Sequence, residues 1–402
     1  MKSAPGKTGY YLLEGINSFA TAYFFNYLLQ RLKREYGLTD LQTLLLCVGH
    51  GFIYIPMSWF GGRFGQRHGY FTSLRIGFGG MLAGVGLAGL VHALWAQCLG
   101  VAIWTASMCF TWPILEALVS EHESSARLPH RVGLYNVVWA ATAAAGVFFG
   151  GSLYIGLGAA SLYWLPVAFH LGQWVATFVL ERRHDAWLAS LPADESPATG
   201  LVVDATRPGY FQRLAWLGNP LNYMAVNTVV ALVPALAIRL GYDVDQIGWL
   251  MALWMSVRAA AFAALWIWSG WHYHFGWFAG SLLMLLGGFV AIVLAHQVWV
   301  IVVAQLCFGW ATALLYYSSL FYAMDGSDTK GEHGGIHEAF IGCGIFGGPA
   351  VSALAMWATA SATAPAWAVG AFLSGGLGLS LWIRNRGRSK SAPALPVSRF
   401  PA

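Results

Sequence analysis

Charge is the first property that this sequence has little of. Of its 402 residues, 10% are Asp, Glu, Lys or Arg and 57% are hydrophobic, whereas soluble domains contain about 25% charged residues. A chain of this length with so few charges cannot cover a surface that faces water. The composition therefore excludes an ordinary soluble domain and indicates a protein whose surface mostly contacts lipid.

Cysteine pairs and the common catalytic motifs are also absent from the sequence. The five cysteines lie inside apolar runs and lack the spacing of disulfide frameworks or zinc sites: Cys47, Cys98, Cys109, Cys307 and Cys343. No Walker loop, HExxH or GxSxG motif occurs, so ATP hydrolysis, zinc-peptidase chemistry and serine-hydrolase chemistry are not expected. We predict that the protein is not an enzyme and uses no metal or cofactor.

The chain instead consists of a succession of long apolar runs. A bilayer core about 30 Å thick needs roughly 20 apolar residues per helix, and continuous runs favour helices over the alternating strands of a barrel. The runs predict an all-α transmembrane protein with twelve helices, over residues 10–32, 41–61, 70–92, 95–119, 132–156, 160–181, 214–238, 246–268, 275–295, 298–323, 336–359 and 364–383.

The distribution of basic residues predicts the orientation of these helices. When alternate loops are assigned to opposite sides, 17 of the 22 Lys and Arg residues fall on one side, four fall on the other, and Arg258 lies within a helix. Cytoplasmic loops carry the excess of basic residues, so both termini are expected in the cytoplasm of a cell (inner) membrane. The net charge of +5 is spread over short loops and does not indicate a nucleic-acid partner.

A polar, proline-containing segment divides the chain into two similar parts. We expect an N-terminal six-helix bundle at 1–181, a cytoplasmic linker at 182–213, a C-terminal six-helix bundle at 214–384 and a basic cytoplasmic tail at 385–402. Weak self-similarity supports a duplication, because several segments recur in order about 202 to 207 residues later: 16–26 at 221–227, 36–42 at 240–246, 65–71 at 272–278 and 131–146 at 335–348.

The predicted turn between the second and third helices, GGRFGQRHGYF, carries the clearest motif. Its residues Gly62, Arg67 and Gly69 resemble the loop that is the hallmark of the major facilitator superfamily, and the resemblance in helix number, linker and repeat covers the whole chain. It implies a twelve-helix secondary transporter that works by alternating access, with its substrate site near the membrane midplane.

Gln66 departs from that motif, because the superfamily usually has Asp at this position. The resemblance implies that charges of the loop latch the cytoplasmic side of one bundle onto the other. Gln66 can form hydrogen bonds, but it cannot contribute the charge–dipole attraction of about 0.3–1 kcal/mol at a helix N-terminus. We expect a weaker latch, or one that uses Glu116 or Glu338 instead; the alternative is a tight turn that only obeys the positive-inside rule.

Polar residues within the predicted helices are candidates for substrate binding and coupling, since placing each of them in a membrane costs a few kcal/mol. Arg258 lies about 18 Å from either end of its helix at 1.5 Å per residue, so it must meet water, an acidic partner or an anionic ligand. The alternative is a permanent ion pair that holds helices together. The other candidates lie in the first, second and seventh helices: Glu14, Asn17, His50, Tyr54 and Asn227.

Three acidic residues and one histidine form a second group, near the cytoplasmic ends of the helices. Glu14, Glu116, His337 and Glu338 are candidates for a gate or a proton-exchange layer. They can equally be solvated charges at helix ends, and Glu338 in the first turn of the eleventh helix would suit the helix dipole without any transport role.

We therefore predict a monomeric, multi-pass secondary transporter for a small molecule, coupled to protons. Arg258 would engage an anionic group of the substrate or a carboxylate that alternates with it. Two alternatives remain open: an exporter of amphipathic drugs or lipids, with a cavity lined by Trp104, Trp112, Trp254 and Trp310, and a membrane sensor or assembly factor that has this fold without transport.

Overall fold

The structure is a computed structural model that describes residues 7–123, 127–190, 210–324 and 330–390. Within these ranges the chain forms thirteen α-helices and no strand, which confirms the predicted all-α class. The helices are α1 (Lys7–Glu35), α2 (Asp40–His68), α3 (Tyr70–Leu90), α4 (Leu94–Met108), α5 (Trp112–Ser120), α6 (Leu128–Gly156), α7 (Ser161–Ala189), α8 (Tyr210–Leu240), α9 (Val244–Ile267), α10 (Phe275–Leu294), α11 (Val298–Met324), α12 (Lys330–Thr359) and α13 (Ala364–Lys390).

Ten stretches of these helices are long and apolar enough to cross a membrane, with α4 and α5 together supplying one of them. The multi-pass membrane protein predicted from composition is thereby confirmed. The predicted count of twelve spans additionally requires α1 and α7, which are 29 residues long. At 1.5 Å per residue each is about 44 Å long, which suffices to cross a bilayer.

The helix boundaries differ from the prediction at the basic motif. The second helix was expected to end at residue 61, but α2 continues to His68 and only Gly69 separates it from α3. Gly69 has a φ of 98°, a left-handed value that favours glycine. The basic residues Arg67 and His68 in the last turn of α2 suit the negative end of the helix dipole, so positive charge here does not require a long loop.

Three further helix boundaries differ from the prediction. The span predicted over 95–119 breaks after Met108, and α5 restarts with Pro113 in its first turn, where proline needs no hydrogen-bonded N–H. Helical residues occupy both ends of the predicted linker, since α7 reaches Ala189 and α8 begins at Tyr210. The rest of that linker, 191–209, and the tail beyond 390 lie outside the described residues.

The packing repeats between the first half of the described chain, residues 7–190, and the second half, residues 210–390. In the first half α1 packs on α6 and α3 on α4, and in the second half α8 packs on α12 and α10 on α11. The two halves contact each other mainly through α2 with α12 and α6 with α9.

Local details at the aligned positions agree with this pattern. Thr39 and Gln42 form a capping box at the start of α2, and Asp243 and Gln246 form the same box at the start of α9. A capping box satisfies two backbone N–H groups that would otherwise lack partners at a helix N-terminus. The helices that were aligned from weak sequence similarity therefore begin in the same way.

Candidate functional site

A cavity of about 180 Å³ lies between the two halves of the chain. One water molecule needs roughly 10–15 Å³ by this measure, so the cavity has room for a small organic molecule. Helices of both halves line it, and five of the predicted substrate or coupling residues are in its wall: Glu14, His50, Tyr54, Asn227 and Arg258. Asn17 is buried elsewhere and donates a hydrogen bond of 3.2 Å to the Thr111 hydroxyl.

Arg258 of α9 is the main positive group of this wall. Its guanidinium carbon lies 4.5 Å from the ring centre of Trp139 and 4.8 Å from that of Trp254. The side chain is buried, and Nε has no hydrogen-bond partner in the described part of the chain. Arg258 forms no ion pair with any residue of the described ranges. The aromatic rings stabilise the buried cation, while its N–H donors are left for another partner.

Glu14 of α1 faces the same cavity and is held by two hydroxyl groups. The Ser18 hydroxyl donates to one carboxylate oxygen at 2.7 Å, and the Tyr135 hydroxyl donates to the other at 3.1 Å. Ser18 lies one turn along the same helix, so residues four apart in α1 share the face that lines the cavity. The Glu14 side chain is 1% exposed, so it is not a solvated charge at a helix end.

Glu116, His337 and Glu338 come together although α5 and α12 are far apart in sequence. Each of the three offers one possible ligand atom within 4.8 Å of the others, and all three are buried. The Tyr54 hydroxyl donates to Glu338, and the Tyr316 hydroxyl donates to Glu116 at 3.3 Å. Two carboxylates and an imidazole are the ligand types that many divalent metals accept, so these residues are also where a metal ion could be held.

Free polar atoms remain in this group of three. One carboxylate oxygen of Glu116 and Nε2 of His337 have no hydrogen-bond partner among the residues that the structure describes, while Nδ1 of His337 is 3.2 Å from the Ser319 hydroxyl. Glu338 lies eight residues after Lys330, the first residue of α12, and not in the first turn of the helix. The helix-dipole explanation for Glu338 is therefore wrong, and so is its interpretation as a solvated helix end.

The remaining predicted cavity residues have hydrogen-bond partners inside the protein. Nδ1 of His50 lies 2.7 Å from the Thr105 hydroxyl, and its ring stacks against Trp104. The Asn227 amide donates to the backbone carbonyl of Tyr223 at 3.0 Å. These hydrogen bonds fix the orientation of the His50 and Asn227 side chains in the cavity wall.

The gate candidates of the basic motif separate into two groups. Gly62 lies at the contact of α2 with α12, because a Cβ on Gly335 would be 3.1 Å from the Gly62 Cα. Gln66, Arg67 and Gly69 are exposed, and Gln66 accepts a hydrogen bond of 2.9 Å from Tyr70 of the same chain half.

A nearby ion pair joins the two halves. Nε of Arg63 in α2 lies 3.4 Å from a carboxylate oxygen of Glu332 in α12. Exposed pairs of this kind contribute about 0–1 kcal/mol. The motif therefore does contact the other half by charge, through the arginine beside Gly62 and an acidic residue that sequence reasoning did not select.

The connection between α5 and α6 forms a further ion-pair network with the first turns of α1 and α6. Nζ of Lys7 is 2.6 Å from the Glu123 carboxylate, and Nε of Arg131 is 2.9 Å from the same oxygen. Burial favours a higher pKa for Glu123, but the Lys7 hydrogen bond and the charges of Lys7 and Arg131 outweigh it and hold that pKa below its usual value. Beside it, burial raises the pKa of Glu121.

Sequence reasoning selected Tyr54 but missed two other tyrosines of the site. Tyr135 and Tyr316 donate to Glu14 and Glu116, and a tyrosine within an apolar run gives no sign of such a partner. Trp139, which was not among the predicted site residues, lies over Arg258. Of the tryptophans proposed to line a broad cavity, Trp104, Trp112 and Trp254 are in its wall, whereas Trp310 is not among its lining residues.

Comparison with known proteins identifies the family. The solved structure of the human organic anion transporter MFSD10 (TETRAN) matches with a TM-score of 0.67 at 15% identity, over 95% of this chain and 100% of that chain. At such identity the match shows a shared fold alone. No curated protein sequence matches the chain. A family model described as Major Facilitator Superfamily matches residues 11–273, which is more than half of the sequence, and the chain therefore belongs to the major facilitator superfamily.

Proposed function

We propose that the protein is a secondary active transporter of a small organic anion, and that it works by alternating access between two related six-span halves. The shared capping boxes and the repeated helix contacts support the two halves. The cavity between them supports a substrate site, since transporters of this kind bind substrate at the interface of their repeats. Cytoplasmic termini and a location in the cell membrane belong to the same proposal.

Contacts between the halves lie on both sides of the cavity. At the end with the basic motif, Gly335 approaches Gly62. At the opposite end, the Ser152 hydroxyl lies 3.3 Å from the Asp245 carboxylate, and the Tyr27 hydroxyl packs on Gly248. Opening either set of contacts would expose the cavity to one side of the membrane, as alternating access requires.

The observation that carries the substrate class is the environment of Arg258. A buried cation costs free energy unless it is paired, and within the described residues only aromatic rings offset that cost for Arg258. An anionic group of a substrate would supply the missing charge, and the surrounding tryptophans and tyrosines would pack on an apolar or aromatic body. Cavities of this composition bind ligands through a few placed polar groups in an apolar wall.

Proton coupling is proposed on the three buried acidic residues. Glu14, Glu116 and Glu338 are each 4% exposed or less, and no ion pair joins any of them to a Lys or Arg of the described ranges. Intramembrane carboxyl groups of this kind mark proton pathways in transporters. A proton gradient would then drive the movement of the anion.

Flux measurements in proteoliposomes test this function. We expect uptake of an aromatic carboxylate, driven by an imposed pH gradient, to be saturable. Arg258→Gln should raise KM about 10- to 150-fold, because a hydrogen bond to a charged group contributes about 1.5–3 kcal/mol. The matched control is Arg34→Gln, which removes an exposed arginine of α1 and should leave KM unchanged. Parental flux in both Arg258→Ala and Glu14→Gln would refute the assignment.

The aromatic wall also favours a second candidate, an exporter of amphipathic compounds. Trp104, Trp112 and Trp254 line the cavity, and aromatic rings bind organic cations as well as apolar bodies. A panel of acids and lipophilic cations separates the two candidates by ligand-induced thermal stabilisation. Stabilisation by cations that survives Arg258→Gln would favour the exporter, whereas no ligand-dependent flux together with a stable protein partner would favour a sensor.

A further inference from the structure

A second cavity, of about 400 Å³, forms a groove between α2 and α4. Both helices belong to the candidate membrane spans. Leu45 in the wall is 52% exposed, so this α2–α4 groove opens onto the surface of the chain that contacts lipid. Its walls are stripes of residues at helical spacing on the two helices, among them Leu45, Leu46, Gly49 and Ile53 of α2 with Cys98 and Ala102 of α4.

Small side chains give the groove its width. At Gly49, no atom of the described residues lies within 4 Å of the position that a Cβ would take, and Ala102 adds only a methyl group. Water is excluded from the hydrocarbon core of a bilayer, and an empty groove would lose the dispersion contacts of its walls. Hydrocarbon therefore fills the groove, either as a chain of a bilayer lipid or as the tail of a ligand.

His50 connects the groove with the cavity between the two halves, the central cavity. Of the described residues, only His50 lines both spaces. At 1.5 Å per residue it lies about 15 Å along α2 from Asp40, which is about half of a bilayer core 30 Å thick. The two spaces therefore adjoin near the middle of the membrane, with the His50 ring as the wall between them.

Aromatic stacking and a hydrogen bond hold the His50 ring in place. Its centre lies 4.8 Å from that of Phe25 and 5.8 Å from that of Trp104. The Thr105 hydroxyl donates to the Val101 carbonyl at 2.7 Å, so it accepts from Nδ1 of His50 at 2.7 Å. Because a single side-chain hydrogen bond is a modest restraint, rotation of the ring can join the two spaces.

A hydrogen-bond donor next to His50 is available to a ligand. Nε1 of Trp104 has no acceptor among the described residues, although this side chain is 1% exposed and lines the central cavity. A buried N–H without a partner costs free energy, and an oxygen atom of a ligand would satisfy it. A ligand headgroup bound there has the His50 ring as a neighbour, so a chain that extends from it past His50 reaches the groove.

We propose that the α2–α4 groove binds the hydrocarbon tail of an amphipathic organic anion whose headgroup lies in the central cavity, and that His50 is the movable wall between the two spaces. The inference rests on the proposed function and narrows its substrate class to anions with a hydrocarbon chain. Among the described residues that line the groove there is no Asp, Glu, Lys or Arg, which suits an uncharged tail, whereas Arg258 in the central cavity suits the head. A bilayer lipid that never reaches the central cavity is the competing occupant.

Photolabelling of the full chain in proteoliposomes locates the tail. The probe is an alkyl sulfonate with a diazirine near the end of its chain, and the labelled residues are mapped by mass spectrometry. We expect labels at Leu45 and Cys98, and decanesulfonate at about ten times its Kd should lower them about tenfold by mass action. Labels at Leu283 of α10, which is 54% exposed, should not be lowered. Groove labels that decanesulfonate does not displace would show contact with bulk lipid only and overturn the proposal.

The connection between head and tail is tested by displacement in Arg258→Gln. The headgroup then loses a hydrogen bond to a charged group, so displacing the groove labels should require about tenfold more decanesulfonate or a still larger excess. Displacement at the same concentration as in the parent would show that the groove is occupied independently of the central cavity, and would overturn the proposal.

Flux of two sulfonates tests whether the groove serves transport. Gly49→Phe fills the groove and should raise KM for decanesulfonate more than about tenfold, because each methylene kept out of the groove costs about fourfold. Benzenesulfonate has the same headgroup and no chain, so its flux should persist and shows that the variant is folded. The matched control is Gly172→Phe on α7, another exposed glycine with no described atom within 4 Å of a Cβ, which should leave both fluxes unchanged. An equal loss for both sulfonates, or no loss for either, overturns the proposal.

Thr105→Val tests the movable wall. It removes the hydrogen bond that holds the His50 ring, so decanesulfonate flux should rise about 2- to 12-fold while benzenesulfonate flux stays as in the parent. Unchanged decanesulfonate flux would overturn the role of His50. Parent flux of benzenesulfonate without decanesulfonate would refute the tail site and leave the proposed transport function standing. Displaceable groove labels without flux of either sulfonate would refute transport and leave the tail site standing.

Discussion

A methyl group added at Gly51 tests how closely the two halves must pack. Gly51 lies on α2 against α12, and a Cβ there would be 2.5 Å from the Cα of Phe346 and 2.7 Å from the carbonyl carbon of Ile345. Both atoms belong to the backbone, so no side-chain rotation can relieve the overlap. Carbon atoms prefer separations of about 3.5–4.0 Å, so the helices would have to move apart by about 1 Å.

The expected cost of Gly51→Ala is about 1–3 kcal/mol, the usual penalty for overfilling a packed site. Under the proposed alternating access, that cost falls on the form in which α2 and α12 touch, so the ratio of closed to open molecules should fall about 5- to 150-fold. Gly49→Ala is the matched control on the same helix, since no atom of the described residues lies within 4 Å of a Cβ there. Helix propensity alone would make this control up to about 1 kcal/mol more stable than the parent.

Two measurements on both variants decide the outcome. Thermal unfolding in detergent should show Gly51→Ala less stable than Gly49→Ala, and distances between spin labels at the ends of α2 and α13 should show a larger open population only in Gly51→Ala. If the two alanine variants have the same stability and the same distance distribution, the close contact between α2 and α12 does not limit the closed form, and the reasoning fails.

Two further predictions concern ion pairs. Glu123→Gln should lower the free energy of unfolding at pH 7 by about 3 kcal/mol, because Lys7 and Arg131 then face a neutral amide. Since the Glu123 pKa is held below its usual value, the difference in thermal stability between parent and variant should disappear as the pH falls below about 4. A difference in stability that persists in acid would contradict a charge effect. Arg63→Gln removes the partly exposed pair with Glu332 and should favour the open form by less than about 1 kcal/mol. The label distances should show this difference at low salt and lose it at 1 M salt, and a difference that ignores salt would rule out the ion pair as its cause.

Several features of the fold could be predicted because their causes are local. The low charge and the long apolar runs require a lipid-facing helical chain whatever its tertiary packing. The segments around Gln42 and Gln246 were aligned by sequence, and both begin helices with the same capping box, because capping depends on residues three apart. Arg258 could be singled out because a mid-helix arginine in a membrane requires a partner.

Helix boundaries were less predictable, because tertiary packing helps to decide where a helix ends. The glycines and arginines of the basic motif were expected to form a turn, yet α2 continues through them to His68. Gly62 packs against α12 across the interface between the halves, a contact that local sequence does not reveal. The break before Trp112 had no strong signal beyond Pro113, which fits equally well within a helix start.

The sequence by itself determined a multi-pass helical membrane protein with a buried arginine, since hydropathy and charge act wherever the chain goes. Only the tertiary structure decided what the acidic residues do. Glu116 and Glu338 are more than 200 residues apart in the chain, and each is paired with a tyrosine from the opposite half. No local pattern encodes such a meeting, because it arises from the contact of two helix surfaces that are adjacent only after folding.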